Sequence, residues 1–200
     1  MFKELKPAFK MMLVLTILTG LAYPGIMTAL CEWLFPARAG GSLIVEGGVV
    51  IGSELLGQAF AKPEYFHPRP SAVDYDASAS GASNLGPTNL MLIDRIREDL
   101  QSFRKDNPHY LGEIPSDLLT ASGSGLDPHI SPASALAQVA RVAAARGIPA
   151  DDLRKLVRNT IEQRQLGILG EPRVNVLLLN LALNRRFPLR SPRDADPSPQ

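Results

Sequence analysis

From Met11 to Cys31 the chain runs MMLVLTILTGLAYPGIMTALC, 21 residues without a charge. At ~1.5 Å rise per residue a helix of that length reaches about 31 Å, the thickness of a hydrocarbon core. A helix satisfies its own backbone, so it crosses lipid without stranding polar groups. The run therefore predicts a transmembrane helix over residues 11–34. Gly20, Pro24 and Gly25 argue against a soluble helix but are tolerated in a membrane, and Pro24 predicts a kink. Lys3, Lys6 and Lys10 precede the run; after it come Glu32, Trp33, Phe35 and the single base Arg38. Basic flanks stay inside, so residues 1–10 are expected in the cytoplasm and residues 35–187 outside it, with Trp33 at the outer interface.

The competing reading is a cleaved signal peptide. Its apolar core ordinarily spans ~7–15 residues, shorter than this run. Thr28-Ala29-Leu30-Cys31 approximates a lipoprotein cleavage box, but Leu30 stands where a small residue belongs. The uncleaved anchor is preferred. Cys31 is the only cysteine, so neither an intramolecular disulfide nor a thiolate metal cluster is available to the outer domain, and its own core must stabilise it. The 21 basic and 20 acidic residues nearly cancel, which excludes the charge footprint of a nucleic-acid binder.

Beyond the span, Ala37–Ser42 reads as a flexible joint. Ser42–Val45 and Val49–Gly52 flank Glu46-Gly47-Gly48 as a hairpin. Glu54–Phe60 is expected to form a short helix. KPEYFHPRPSAVDY, with three prolines and three aromatics, is expected to be an extended, packed loop. Thr88 or Asn89 caps a helix along Leu90, Ile93, Leu100 and Phe103 that stops at Asn107-Pro108. Ser131-Pro132 opens another, running to about Ala145 and broken at Gly147. Pro149 starts a third, and Val174 onward reads as a buried helix closed by Arg185 and Arg186, with a strand over Val174–Leu181 as the alternative. The Pro- and Ser-rich tail, residues 188–200, is expected to be disordered. The sum is an α+β protein: one membrane helix, then one mainly helical extracytoplasmic domain with a small β element.

Ala121–Pro132, ASGSGLDPHISP, is the stretch richest in suggestive residue types. It lacks the lysine of a phosphate-binding loop, the third glycine of GxGxxG, and the G-x-S-x-G turn of a nucleophilic serine. A hydrolase built from Ser124, Asp127 and His129 would rest on residue types alone. His67, His109 and His129 show no metal-ligand spacing. The preferred reading is a structural joint: glycines permit the turn, Asp127 before Pro128 bonds nearby amides, and Ser131 caps the helix. Glu171 and Arg173 are expected to pair across their turn, and Gln163 and Gln165 to be exposed. No catalytic residue and no metal site is assigned.

Five segments carry a family resemblance: YFHPRPSA (Tyr65–Ala72), SGASNLGPTN (Ser80–Asn89), LLTASGSGLDPHISPASA (Leu118–Ala135), QVARVAAARG (Gln138–Gly147) and LGEPRVNVLLLNLAL (Leu169–Leu183). In this order they resemble the C subunit of the Kdp potassium-transporting P-type ATPase over nearly the whole chain. The resemblance implies a bacterial inner-membrane complex. In it a channel-like subunit selects potassium, a P-type subunit hydrolyses ATP, and a small single-helix subunit accompanies them. ATP and K+ are then handled by the complex, and no cofactor is expected on this chain. The C subunit would serve assembly and high-affinity uptake. The family is also assigned a role in raising ATP affinity as a catalytic chaperone, linked to positions matching Ser122, Gly123, Ser124, Gly125 and Gln138. If the domain lies outside, ~30 Å of hydrocarbon separates it from cytoplasmic ATP, and any effect must be coupling through partners. Tyr65, His67, Arg69, Asp127 and His129, on the two loops Tyr65–Ala72 and Ala121–Ser131, are the residues expected to meet a partner, because rigid exposed loops commonly carry recognition.

Overall fold

The computed structural model describes residues 2–189. The tail expected to be disordered lies, apart from Pro188 and Leu189, outside them. Contacts within the chain divide it into two units, one ending at Ser53 and one beginning at Glu54.

The first unit opens with α1 (Phe2–Ile17), which passes through a π-helical turn (Leu18–Ala22) into α2 (Tyr23–Leu34). Lys3–Leu34 is long and apolar enough to span a bilayer, and no part of it is buried within the chain. The disturbance expected near Pro24 takes the form of the π turn. Tyr23 N–H donates back to Leu18 O, so the ladder loosens just before the proline that cannot donate to it. Phe35 ends the helix, and the expected joint begins as a helical turn, α3 (Pro36–Ala39). A hairpin follows as predicted, β1 (Leu43–Glu46) against β2 (Val49–Ser53). Its two-residue turn is Gly47-Gly48, with φ +58° and +82°. A turn left-handed at both positions matches the twist of the strands and admits glycine at no steric cost.

The second unit is built on α5 (Pro132–Arg146), α6 (Ala150–Asn159) and α7 (Val176–Arg186). A two-stranded antiparallel ladder joins β3 (His129–Ile130) to β4 (Val174–Asn175). The core holds Ile130, Val139, Val142, Leu153, Val157, Val174, Leu179 and Leu183, with Phe66 brought in from the proline-rich loop. Ala135 and Ala143 of α5 belong to the same cluster. The caps follow the sequence. Ser131 Oγ accepts from Ser134 N–H at 3.1 Å, and Gly147 ends α5 at φ +65°. Asn89 Oδ1 accepts from Met91 N–H at the start of α4 (Leu90–Asp106), an outlying helix with no buried residue. The alternatives at Val174 resolve into both: two residues of strand, then Asn175 caps α7 by accepting from Leu178 N–H at 3.1 Å.

Glu54–Phe60 is not a helix. Gly57 N–H donates to Leu126 O at 2.8 Å, and a Cβ at Gly57 would stand 2.7 Å from Asp127 O. The segment turns at residues 54–56 and Gly57 is then held against residues 126–127, a close approach that glycine permits.

Candidate functional site

The two loops singled out in the sequence are both held by the helical core. Residues 63–67 form a strap across α5 and α7. Asn180 brackets Phe66: its Oδ1 accepts from Phe66 N–H at 2.9 Å and its Nδ2 donates to Phe66 O at 3.0 Å. Gln138 does the same one residue on. Its Oε1 accepts from His67 N–H at 2.8 Å and from Arg141 Nη2 at 2.7 Å, while its Nε2 donates to His67 O at 3.1 Å and Ser134 O at 3.3 Å. At 1% exposure, with both amide hydrogens and both lone pairs engaged, Gln138 has satisfied the side chain's whole inventory.

Arg141 continues the strap. It donates through Nη1 to Pro63 O at 2.6 Å and Tyr65 O at 3.0 Å, and through Nε to Asn107 Oδ1 at 3.2 Å. Burial pulls its pKa down to about 10, still far above neutrality. Arg146 donates to Glu64 O, Phe187 O and Asn184 Oδ1 and lies over the Tyr65 ring at 5.0 Å. Burial, then the charge of Arg141, lowers the pKa of His67, so the neutral imidazole is favoured. Tyr65 and His67 are thus half-buried members of a packed strap, less open than the sequence reading supposes.

The serine–glycine loop is braced likewise. Ser122 Oγ accepts from Gly125 N–H at 2.8 Å and Ser124 Oγ from Leu126 N–H at 3.1 Å. Ser71 Oγ donates to Gly125 O at 2.6 Å, and Gly81 N–H donates to Ser124 O at 2.9 Å. Gly125 sits at φ +69°, where a Cβ would stand 2.5 Å from Val73 Cγ2 and 2.8 Å from Gly81 O. Only glycine fits that approach. Gly123 and Ser124 remain exposed at the loop's surface.

Arg69, Asp127 and His129 come together. Arg69 Nη1 meets Asp127 Oδ2 at 3.1 Å; Asp127 Oδ1 accepts from His129 N–H at 3.0 Å and lies 3.4 Å from His129 Nδ1. His129 Nε2 is 3.9 Å from Glu162 Oε2, which accepts from Arg173 Nε at 2.9 Å. This chain of polar and charged side chains lines a cavity of about 700 Å³. Burial works against the Asp127 charge, but hydrogen bonds from His129 and the charge of Arg69 outweigh it, and the carboxyl lies below its ordinary value. Asp117, on the same wall, accepts from Ser131 N–H at 2.7 Å and Ser134 Oγ at 2.6 Å, anchoring the start of α5. Among the described residues, the hydrogen bonds of Ser124 stay within its own loop and Ser80–Gly81, while His129 turns to Asp127 and Glu162. Among these residues Ser124 is not hydrogen-bonded to His129, and the side chains at the cavity orient one another. Among the same residues no group of three His, Cys, Asp or Glu is placed to hold a metal.

Sequence reasoning missed the partners of this network. Arg141, Arg146 and Asn180 reach residues 34 to 114 positions away, and no local pattern marks them. It also mispaired the turn after Leu169: Glu171 bonds Arg164 at 2.6 Å, and Arg173 bonds Glu162. Residues 171 and 173 lie on one strand of a narrow ribbon, and their partners lie on the other, where facing side chains meet. Gln163 and Gln165 are exposed as expected.

A family model for the K+-transporting ATPase c chain (KdpC) matches residues 5–185, and the chain belongs to that family. It is 55% identical over 191 residues to the potassium-transporting ATPase KdpC subunit of Rhodospirillum rubrum, covering 94% of this chain and 99% of that one. To the subunit of the same name from Gemmatimonas aurantiaca it is 56% identical over 187 residues, 92% and 94% of the two chains. To that of Myxococcus xanthus it is 50% identical over 190 residues, 94% and 90%. The chain is therefore a subunit of a potassium-transporting ATPase, with one candidate membrane helix near its N-terminus.

Proposed function

We propose that this chain is a non-catalytic, singly anchored subunit of a high-affinity potassium pump. In this reading it sits in the bacterial inner membrane with residues 1–10 cytoplasmic and the domain outside. It serves to assemble and stabilise the potassium-translocating and ATPase subunits, beside a small single-helix subunit. The observation that carries it is the internal engagement of the loops richest in suggestive chemistry. Gln138 has its side-chain amide committed to the strap, Arg141 and Ser134, and in the Ser122–Gly125 loop both serine hydroxyls bond within the loop while the carbonyls of Ser124 and Gly125 are held by residues 71–81. A surface fixed in that way suits recognition by another protein. The orientation rests on Lys3, Lys6 and Lys10 against Arg38 alone.

Removing residues 1–35 from the chain is expected to give a soluble domain that no longer co-purifies with the other subunits; full retention of the complex would contradict the reading. The alternative is a catalytic chaperone that binds nucleotide at Ser122–Gly125 and Gln138. It requires those bonds to open and the domain to face the cytoplasm. Titration calorimetry of the full chain in detergent with ATP discriminates: no heat is expected, and saturable binding lost in Gln138→Ala would favour the alternative.

A further inference from the structure

Between α6 and β4 the chain runs out and back as a narrow ribbon. Glu162 and Arg173 exchange backbone hydrogen bonds at 2.8 and 3.0 Å, and Gln165 and Leu169 do so at 2.9 Å each. Two cross-ribbon ion pairs, Glu162–Arg173 and Arg164–Glu171, brace its sides. The tip turns through Leu166 at φ +53° and Gly167 at φ +77°, with Gly170 at φ +76° completing the return. A left-handed leucine is strained, and a glycine would sit there freely. The turn holds its apolar residues outward: Leu166 is 88% exposed, Ile168 76% and Leu169 55%. Single exposed apolar residues are ordinary, but three large ones gathered on a braced projection form a knob.

We propose that the Leu166–Leu169 tip is the docking knob of this domain, seated in an apolar pocket on another subunit of the same potassium-transporting ATPase. The proposal rests on the reading of the chain as an assembly subunit, not on its orientation in the membrane. Membership of the family makes the chain a subunit, so a neighbouring chain exists to receive the knob. Lipid is the poorer match. The collar of two Glu and two Arg carries no net charge, and the ribbon lacks the basic excess and the aromatic side chains that hold segments at a membrane surface. A second copy of this chain is also the poorer match. The large concavity beside the ribbon is lined by the charged side chains Arg69, Asp127 and Glu162, and an apolar tip would strand those charges. The receiving pocket is apolar, with a rim of mixed charge to meet the collar. Removing the three exposed apolar side chains from water is what would stabilise the contact.

The test uses the full chain, co-expressed with the other subunits. A benzophenone amino acid placed at Ile168 is expected to give, on irradiation, an adduct with another subunit of the ATPase. Leu166→Asp with Ile168→Asp is expected to lower recovery of the complex at least tenfold, with the melting temperature of the purified chain unchanged within 2 °C. An adduct only with lipid or with a second copy, no adduct, or undiminished recovery of the complex would each overturn the proposal. Should the aspartates unfold the domain, the adduct decides. Loss of the complex on removing residues 1–35 but not on the double substitution sinks the knob and leaves the proposed function standing.

Discussion

The strap at residues 63–67 and the ribbon at residues 162–173 are both irregular segments between regular elements, and they are stabilised in opposite ways. The strap is rich in polar and aromatic residues yet directs them inward. The carbonyls of residues 63–67 and the N–H groups of Phe66 and His67 are met by Asn180, Gln138, Arg141 and Arg146. The ribbon closes on its own backbone and directs leucine and isoleucine outward. Buried polar groups must find partners, so the side chains that look most chemically capable here are the ones already engaged. Residues free to meet a partner are those the core did not take.

That contrast breaks most readily at Arg141. Arg141→Ala orphans the carbonyls of Pro63 and Tyr65 and the Asn107 amide, and is expected to cost about 3 kcal/mol. For a domain of this size the melting temperature should fall by roughly 6–12 °C. A fall under 2 °C in thermal unfolding of the detergent-solubilised chain would mean the strap is not held as described. Gly125→Ala comes next, at about 2 kcal/mol, because alanine is strained at φ +69° and its Cβ meets Val73 and Gly81. Urea unfolding that showed no loss would place the serine–glycine loop outside the cooperative unit.

His67 sharpens the contrast through pH. Its folded pKa lies below the ordinary value of 6.5, with burial the main cause. The unfolded chain takes up its proton first as pH falls, so stability is complete above about pH 6.5 and declines as pH falls from there toward the lower folded value. His67→Gln is expected to narrow the difference in melting temperature between pH 7.5 and 5.5; an unchanged difference would relieve His67 of that role. Smallest of all, Leu166→Asp alone is expected to change the stability of the domain by less than about 0.5 kcal/mol, as an exposed substitution should. A larger loss by calorimetry would show the tip to be part of the fold.

Elements governed by local signals were legible in the sequence. Ser131-Pro132 and Gly147 bracket α5, Asn89 caps α4, and Gly47-Gly48 turns the hairpin where expected. What depends on distant partners was not. Nothing near Glu54 announces that Gly57 pairs with Leu126, so a helix was expected where a turn and an irregular segment lie. Of the residues expected to meet a partner, Arg69, Asp127 and His129 share one cavity wall, while Tyr65 and His67 belong to the strap. The outward tip was missed because a leucine at positive φ leaves no mark in a hydrophobic pattern. The family segments were readable because they are long and ordered, which requires no knowledge of contacts.

The account depends most on which side of the membrane the domain occupies. In the full chain carrying Cys31→Ser and Leu111→Cys, the new thiol stands on a residue 94% exposed. Right-side-out spheroplasts treated with a membrane-impermeant maleimide should label it before any lysis. Labelling that appears only after the membrane is permeabilised would put the domain beside the cell's ATP and contradict the account.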